Sequence, residues 1–180
     1  MRLPGTIHGK KSYMRGIKVA FTGPECSGKS SLAQWLAKEL SCQIVEEYAR
    51  EYLKGRSTYS IDDLDKIALE QFYRNSATGP LVIDTEMLVM KIWCEEKYQT
   101  ASDTILQLLE RQKLDFYFLC KPDFNWVSDP LRENASDRER LYKIYESNLK
   151  MFNFSYCVLS GSESERRKTI KNLFNGKNSL

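Results

Sequence analysis

The sequence predicts a three-layer αβα domain, a parallel sheet covered by helices on both faces. Three observations carry this. Short apolar runs of strand length alternate with stretches of helical period. The first run ends at a glycine-rich turn, and an amphipathic helix follows it. The chain has 180 residues, 42% hydrophobic and 28% charged, enough for one ordinary domain with a full core.

The elements run in order from the N-terminus. Residues 1–16 hold Pro4, Gly5, Gly9 and Gly16 without a sustained period, and are expected to be a flexible basic leader before a domain spanning 17–180. Ile17 to Thr22 is the first strand. Lys29 to Leu40 is a helix with Leu32, Trp35, Leu36 and Leu40 on one side. Cys42 to Val45 is a second short strand. Ser60-Ile61-Asp62-Asp63 has the capping-box pattern and opens a helix whose stripe is Leu64, Ile67, Ala68 and Phe72. Gly79-Pro80 breaks the chain before the third strand, Leu81 to Asp84. Helical patterns surround Val89, Ile92 and Trp93, then Ile105, Leu108 and Leu109. Asp115 to Cys120 is the fourth strand. Residues 121–137 are polar, with Pro122 and Pro130, and are long enough for a lid. A helix from Arg138 to Phe152, a fifth strand from Tyr156 to Leu159 and a helix from Glu163 to Phe174 close the domain.

Composition excludes several classes of function. No apolar run reaches membrane-span length. The N-terminus is basic but has no apolar core segment, so no secretory signal is expected. The five cysteines, Cys26, Cys42, Cys94, Cys120 and Cys157, are scattered and form no Cys-x-x-Cys pair. This reads as reduced thiols in the cytoplasm, without a disulfide framework or zinc site. His8 is the only histidine, which excludes a histidine-based triad or a multi-histidine metal site. The net charge of +3 comes from residues 1–18, where Arg2, Lys10, Lys11, Arg15 and Lys18 meet no acid. Such a tail can touch nucleic acid, but a solvated extension is the expected state.

Gly23-Pro24-Glu25-Cys26-Ser27-Gly28-Lys29-Ser30 carries the chemistry. It has the G-x-x-x-x-G-K-S form of a phosphate-binding loop, with a strand before it and a helix after it. Glycines let the backbone curl so that N–H groups converge on phosphate, and the helix N-terminus adds positive potential. The spacing predicts ATP on Gly23, Glu25, Cys26, Ser27, Gly28, Lys29, Ser30 and Ser31. Lys29 is expected on the β- and γ-phosphates and the Ser30 hydroxyl on magnesium. Cys26 is expected to contribute backbone only. Asp84 ends an apolar strand, the arrangement that puts a carboxylate beside the magnesium. Glu86 nearby reads as a helix N-terminal charge.

Two further segments are candidates. Glu46-Glu47-Tyr48-Ala49-Arg50-Glu51 comes after the second strand, where a parallel sheet turns its carboxyl ends to the ligand. A carboxylate there can take the proton of an attacking hydroxyl, although an exposed charged turn would have the same spacing. Arg132, Arg138 and Arg140 lie in or beside the lid, where arginines can meet the charge of a transferring phosphoryl group. Asp129, Glu133, Asp137 and Glu139 could equally pair with them in solvent. Trp126 in the same polar stretch reads as a lid anchor, a stacking surface or, equally, a core-packing residue.

Gly23–Ser30, the Glu47-Tyr48-Ala49-Arg50-Glu51-Tyr52 segment, and the Trp126, Asp129, Arg132 spacing with Arg138 and Arg140 after it resemble the NadR-type ribosylnicotinamide kinase domain. They also resemble related small P-loop ATPases of the AAA-type ATP-binding group. The resemblance spans residues 17 to about 175. It implies a P-loop NTPase of the nucleoside/nucleotide-kinase type, with a five-stranded parallel sheet and an arginine-bearing lid. It implies transfer of the ATP γ-phosphate to the 5′-hydroxyl of nicotinamide riboside; in the reading built on it Lys29 holds the phosphates, Glu47 or Asp84 orients the hydroxyl, and Arg132 with Arg138 neutralises the transition state. Magnesium would sit on Ser30 and Asp84, and the acceptor on Glu47, Tyr48, Arg50, Tyr73 and Trp126. The resemblance also implies an aromatic residue just before the Glu-Tyr pair. Glu46 stands there, so Tyr48, Phe72, Tyr73 or Trp126 is expected to supply the ring. A kinase for another nucleoside or a nucleoside monophosphate, and an ATP-binding regulatory module, stay open, as does homo-oligomerisation.

Overall fold

The computed structural model describes residues 16–128 and 136–176; the basic leader and Arg132 lie outside them. Five strands form one sheet: β1 (Lys18–Thr22), β2 (Gln43–Val45), β3 (Leu81–Ile83), β4 (Phe116–Cys120) and β5 (Tyr156–Leu159). Their order is β2-β3-β1-β4-β5, and every pairing is parallel. β1 therefore lies in the middle, and the glycine-rich loop after it stands at the centre of the carboxyl edge.

Seven helices complete the described fold: α1 (Lys29–Leu40), α2 (Ala49–Tyr52), α3 (Ile61–Asn75), α4 (Met87–Tyr98), α5 (Asp103–Arg111), α6 (Arg138–Met151) and α7 (Glu163–Phe174). Strand side chains alternate between two cores, as a period of two requires. Val19, Phe21, Val82, Phe116 and Phe118 pack against Leu32, Leu36, Ile170 and Leu173 of α1 and α7. Ala20, Ile83, Tyr117 and Leu119 face the other way, into a core with Leu64, Ile67, Leu88, Ile105 and Leu149 from α3 to α6. Each fully buried Val, Leu, Ile or Phe among them contributes about 1.5–3 kcal/mol. The sheet is buried on both faces, as expected for all-parallel strands.

Local chemistry fixes the helix starts. Ser60 accepts from the Asp63 N–H, and Asp63 Oδ2 accepts from the Ser60 N–H at 2.9 Å, the reciprocal box read in the sequence. Tyr52 and Arg56 bind the other Asp63 oxygen; the Ser60 N–H above all, with the Tyr52 and Ser60 hydroxyls, holds the carboxyl down at about 2. Ser162 and Glu165 repeat the box at α7. Glu86 caps α4 through the Leu88 and Val89 N–H groups, and also accepts from Thr22 Oγ1 at 3.0 Å and Gln112 Nε2 at 3.2 Å. This fully buried carboxylate is the helix N-terminal charge expected from sequence, and it ties the end of β1 to α4. Among the described residues no helix is long and apolar enough to cross a membrane.

Candidate active site

β1 delivers the chain to Gly23, and α1 begins after Gly28. The curl between them uses positive φ at Gly23 (128°), Cys26 (51°) and Gly28 (81°). A Cβ on Gly23 would stand 2.6 Å from the Cys120 carbonyl oxygen, so the close passage to β4 requires glycine. The first turn of α1 has no side-chain cap and no acidic residue. An anion is the natural partner for such a helix start. Lys29 turns back over the curl, and its Nζ donates to the carbonyl oxygens of Gly23 and Pro24, each at 2.8 Å.

A cleft opens from this loop, and residues 23–31 line it. Glu47 and Arg50 enter from the segment after β2, Asp84 and Thr85 from the end of β3. α4 supplies Val89, Ile92, Trp93, Glu96 and Lys97, and α6 supplies Leu141 and Tyr145. One end is thus polar and charged, the other apolar and aromatic.

Asp84 is 5% exposed, and its Oδ1 has no hydrogen-bond partner among the described residues. Burial pushes its carboxyl above the usual range, while the Ser30 hydroxyl and the charges of Lys29 and Arg50 pull it back. Glu47 is also pushed up by burial, and Asp84 adds to this; Arg50 and Lys29 oppose it. Arg50 Nε binds Glu47 Oε2 at 2.9 Å. Two carboxylates with raised affinity for protons therefore share a cleft with Lys29.

The other expected site residues divide. Arg138 lies beside the loop, its Nη1 donating to the carbonyl oxygens of Phe124 at 2.8 Å and Cys26 at 3.5 Å. Trp126 sits next to it, with the Arg138 guanidinium 5.9 Å from its ring centroid, but does not line the cleft. Cys26 meets the same segment through its side chain as well as its backbone: Sγ accepts from the Val127 N–H at 3.3 Å. Arg140 does not line the cleft itself; it pairs with Asp137 and with Glu96, which does.

Besides Trp126, two expected acceptor residues lie outside the cleft. Tyr73 is 76% exposed and lies outside the cleft. The buried stripe of α3 is Leu64, Ile67, Ala68, Gln71 and Asn75. Tyr73 comes two residues after Gln71, about 200° around the helix. Tyr48 also does not line the cleft. Its ring packs edge-on to Tyr52 at 6.0 Å, under the Arg74 guanidinium at 4.3 Å. The rings that do line it, Trp93 and Tyr145, read in the sequence as ordinary helix-face residues. Trp93 is held by donating Nε1–H to Tyr59 Oη at 2.7 Å.

The sheet order and the loop define a P-loop NTPase fold of the nucleoside/nucleotide-kinase type. Residues 18–166 match the family described as an AAA domain, and the chain belongs to that family. It is similar to the trifunctional NAD biosynthesis/regulator protein NadR of Salmonella typhimurium, with 28% identity over 162 residues, 83% of this chain and 39% of that protein. Its similarity to NadR of Escherichia coli is 27% over 162 residues, with the same coverage. The chain thus spans about two fifths of the length of these curated relatives. A crystal structure of a NadR protein in complex with NR superposes with a TM-score of 0.67 at 16% identity, over 91% of this chain and 51% of that one. Deoxyadenosine kinase from M. mycoides gives 0.63 at 17% identity, over 89% of this chain and 99% of that one. The NadR-type resemblance read from three segments is borne out.

Proposed function

We propose that this chain is an ATP-dependent phosphotransferase whose acceptor is a nucleoside, nicotinamide riboside in particular. The observation that carries the reading is the one cleft that Lys29, Asp84 and Glu47 line together with Trp93 and Tyr145, the three charged groups close enough to interact electrostatically. The curl of residues 23–30 holds the β- and γ-phosphates of ATP. Lys29 exchanges its carbonyl partners for phosphate oxygens, where its charge acts at short range. The acceptor ring lies between apolar walls, and its 5′-hydroxyl reaches toward Glu47.

Magnesium takes hard oxygen ligands and keeps phosphate and water in its shell. Ser30 and Asp84 fit this requirement, since a buried carboxylate oxygen without a partner lies in the same cleft as the hydroxyl. Among the described residues no group of three or more His, Cys, Asp or Glu could cage a metal by itself. The ion, when bound, would neutralise charge on the phosphate oxygens.

Glu47 accepts the hydroxyl proton as the oxygen attacks the γ-phosphorus, and Arg50 orients the carboxylate. Arg138, whose Nη1 reaches the Cys26 carbonyl of the loop, is proposed to meet charge on the equatorial oxygens, with Arg132 as its companion. Similarity to NadR, whose name includes NAD biosynthesis and whose structure holds NR, supports this acceptor over others.

Nicotinamide riboside is expected to be phosphorylated faster than thymidine, deoxyadenosine or any nucleoside monophosphate in a mass-spectrometric screen. Only ionised Glu47 can take a proton, and its folded pKa is raised, so kcat should fall as pH drops through a value above the free glutamate pKa of about 4.3. Glu47→Gln should cut kcat by about 100-fold and remove that acid limb. A faster rate with another acceptor would reassign the substrate; an unchanged limb in Glu47→Gln would remove Glu47 as the base.

A further inference from the structure

Arg166 is the largest fully buried side chain in the described structure, yet it is a cation and lies outside the cleft. Its guanidinium joins three loops at the carboxyl edge of the sheet. Nη1 donates to the Ser27 carbonyl oxygen at 2.6 Å, Nε to that of Gly161 at 3.0 Å, and Nη2 to that of Lys121 at 2.9 Å. Nη2 also pairs with Asp123 Oδ2 at 3.0 Å, and the same oxygen accepts the Gly161 N–H at 2.6 Å. The Phe124 ring lies 4.5 Å from the guanidinium carbon, and it also covers Gly28, where a Cβ would come within 2.7 Å of the ring.

The Ser27 contact has a geometric consequence for the phosphate loop. No peptide bond in the described chain is cis, so the C=O of Ser27 and the N–H of Gly28 point in opposite directions across one plane. Arg166 holds the carbonyl toward the interior. The Gly28 N–H is thereby turned away from Arg166, toward the side where Gly28 lines the cleft. Gly28 has a φ of 81° and no side chain to resist rotation of this plane. A flip would bring a carbonyl oxygen, instead of a donor, to face an anion.

We propose that Arg166 is a positioning residue for the nucleotide: it locks the Ser27–Gly28 peptide so that the Gly28 N–H is preorganised for a phosphate oxygen. This rests on the reading of the loop as an ATP site. The role is electrostatic preorganisation of a backbone donor, with no contact between Arg166 and the substrate. Asp123 and Phe124 hold the guanidinium in place.

The test is binding of the non-hydrolysable analogue AMP-PNP with magnesium, measured by calorimetry, together with the 15N–1H signal of Gly28. In the wild type the analogue should bind and shift the Gly28 amide. Arg166→Met should weaken binding at least tenfold and abolish most of that shift. Arg166→Lys, which keeps a cationic donor, should recover part of both. Asp123→Ala reaches the same cluster from its more exposed end and should weaken binding about threefold, which serves if the Arg166 variants do not fold. A folded Arg166→Met, or Asp123→Ala, that binds AMP-PNP as the wild type does would overturn the proposal. So would weaker binding with the Gly28 shift intact. Absence of binding by the wild type would instead overturn the ATP-site reading, and the proposal with it.

Discussion

Lys29→Ala is expected to reduce phosphoryl transfer by at least about 1000-fold while leaving a folded protein. The side chain is the one cation that the loop itself contributes, and it closes the curl through Gly23 and Pro24. Its point charge on the β- and γ-oxygens strengthens as charge develops on transfer; loss of one such donor alone typically costs about 100–1000-fold in kcat. Arginine is not an equivalent replacement, because its planar fork cannot occupy the space between two carbonyl oxygens as an ammonium does. The check is kcat for ADP release together with far-UV circular dichroism. A folded Lys29→Ala enzyme with wild-type turnover would exclude the loop as the ATP site.

The second large effect has two opposite signs. Asp84→Asn should lose about 100-fold or more in kcat, since the carboxylate proposed to bind magnesium is gone. The ligand-free variant should nevertheless melt at a higher temperature than the wild type. Burial raises the Asp84 pKa, so the folded state binds its proton more tightly than the unfolded state. The contribution of this group is therefore most favourable at low pH, and is lost as pH rises from the ordinary aspartate range through the raised value. Once ionised, Asp84 is a buried charge with one oxygen unpartnered among the described residues, and asparagine removes that cost. For a domain of this size each kcal/mol recovered corresponds to about 2–4 °C in Tm. Thermal melts at pH 5 and pH 8 should show the gain growing with pH. A lower Tm for Asp84→Asn at both pH values would mean that Asp84 has a structural partner.

Much of this arrangement is legible in the sequence, and the parts that are not have physical reasons. The bounds of α1, β5 and α7 agree with the sequence reading: the glycine-rich loop ends at Gly28 just before α1, a short apolar run marks β5, and the Ser162–Glu165 box opens α7. The loop is legible because its function needs glycine where the backbone adopts positive φ, and glycine leaves a literal mark at Gly23 and Gly28. The four residues of α2 carry too little period to be seen. The aromatic wall escapes a sequence reading for a different reason. Val89, Ile92, Trp93 and Glu96 have the i, i+3, i+4, i+7 spacing of a face that packs on a core, and Leu141 with Tyr145 repeats the i, i+4 step. Whether such a face meets another helix or an open cleft depends on the tertiary arrangement, which periodicity does not encode. Tyr73 is the converse error, an aromatic near a stripe but off it. Arg166 carries no signal, since a basic residue in the middle of a charged helix reads as solvated until β4, β5 and the phosphate loop are brought together around it.

The central claim, that this cleft moves the γ-phosphate of ATP onto nicotinamide riboside, is tested most directly by tracking the phosphate itself. ATP labelled at the γ-position is incubated with magnesium, nicotinamide riboside and the wild-type protein, and the products are separated. Label is expected in a nucleoside 5′-monophosphate in equal amount to the ADP formed, and none in a parallel reaction with Lys29→Ala. Label that stays on ATP, or leaves as free phosphate at the same rate with and without nicotinamide riboside, would contradict it.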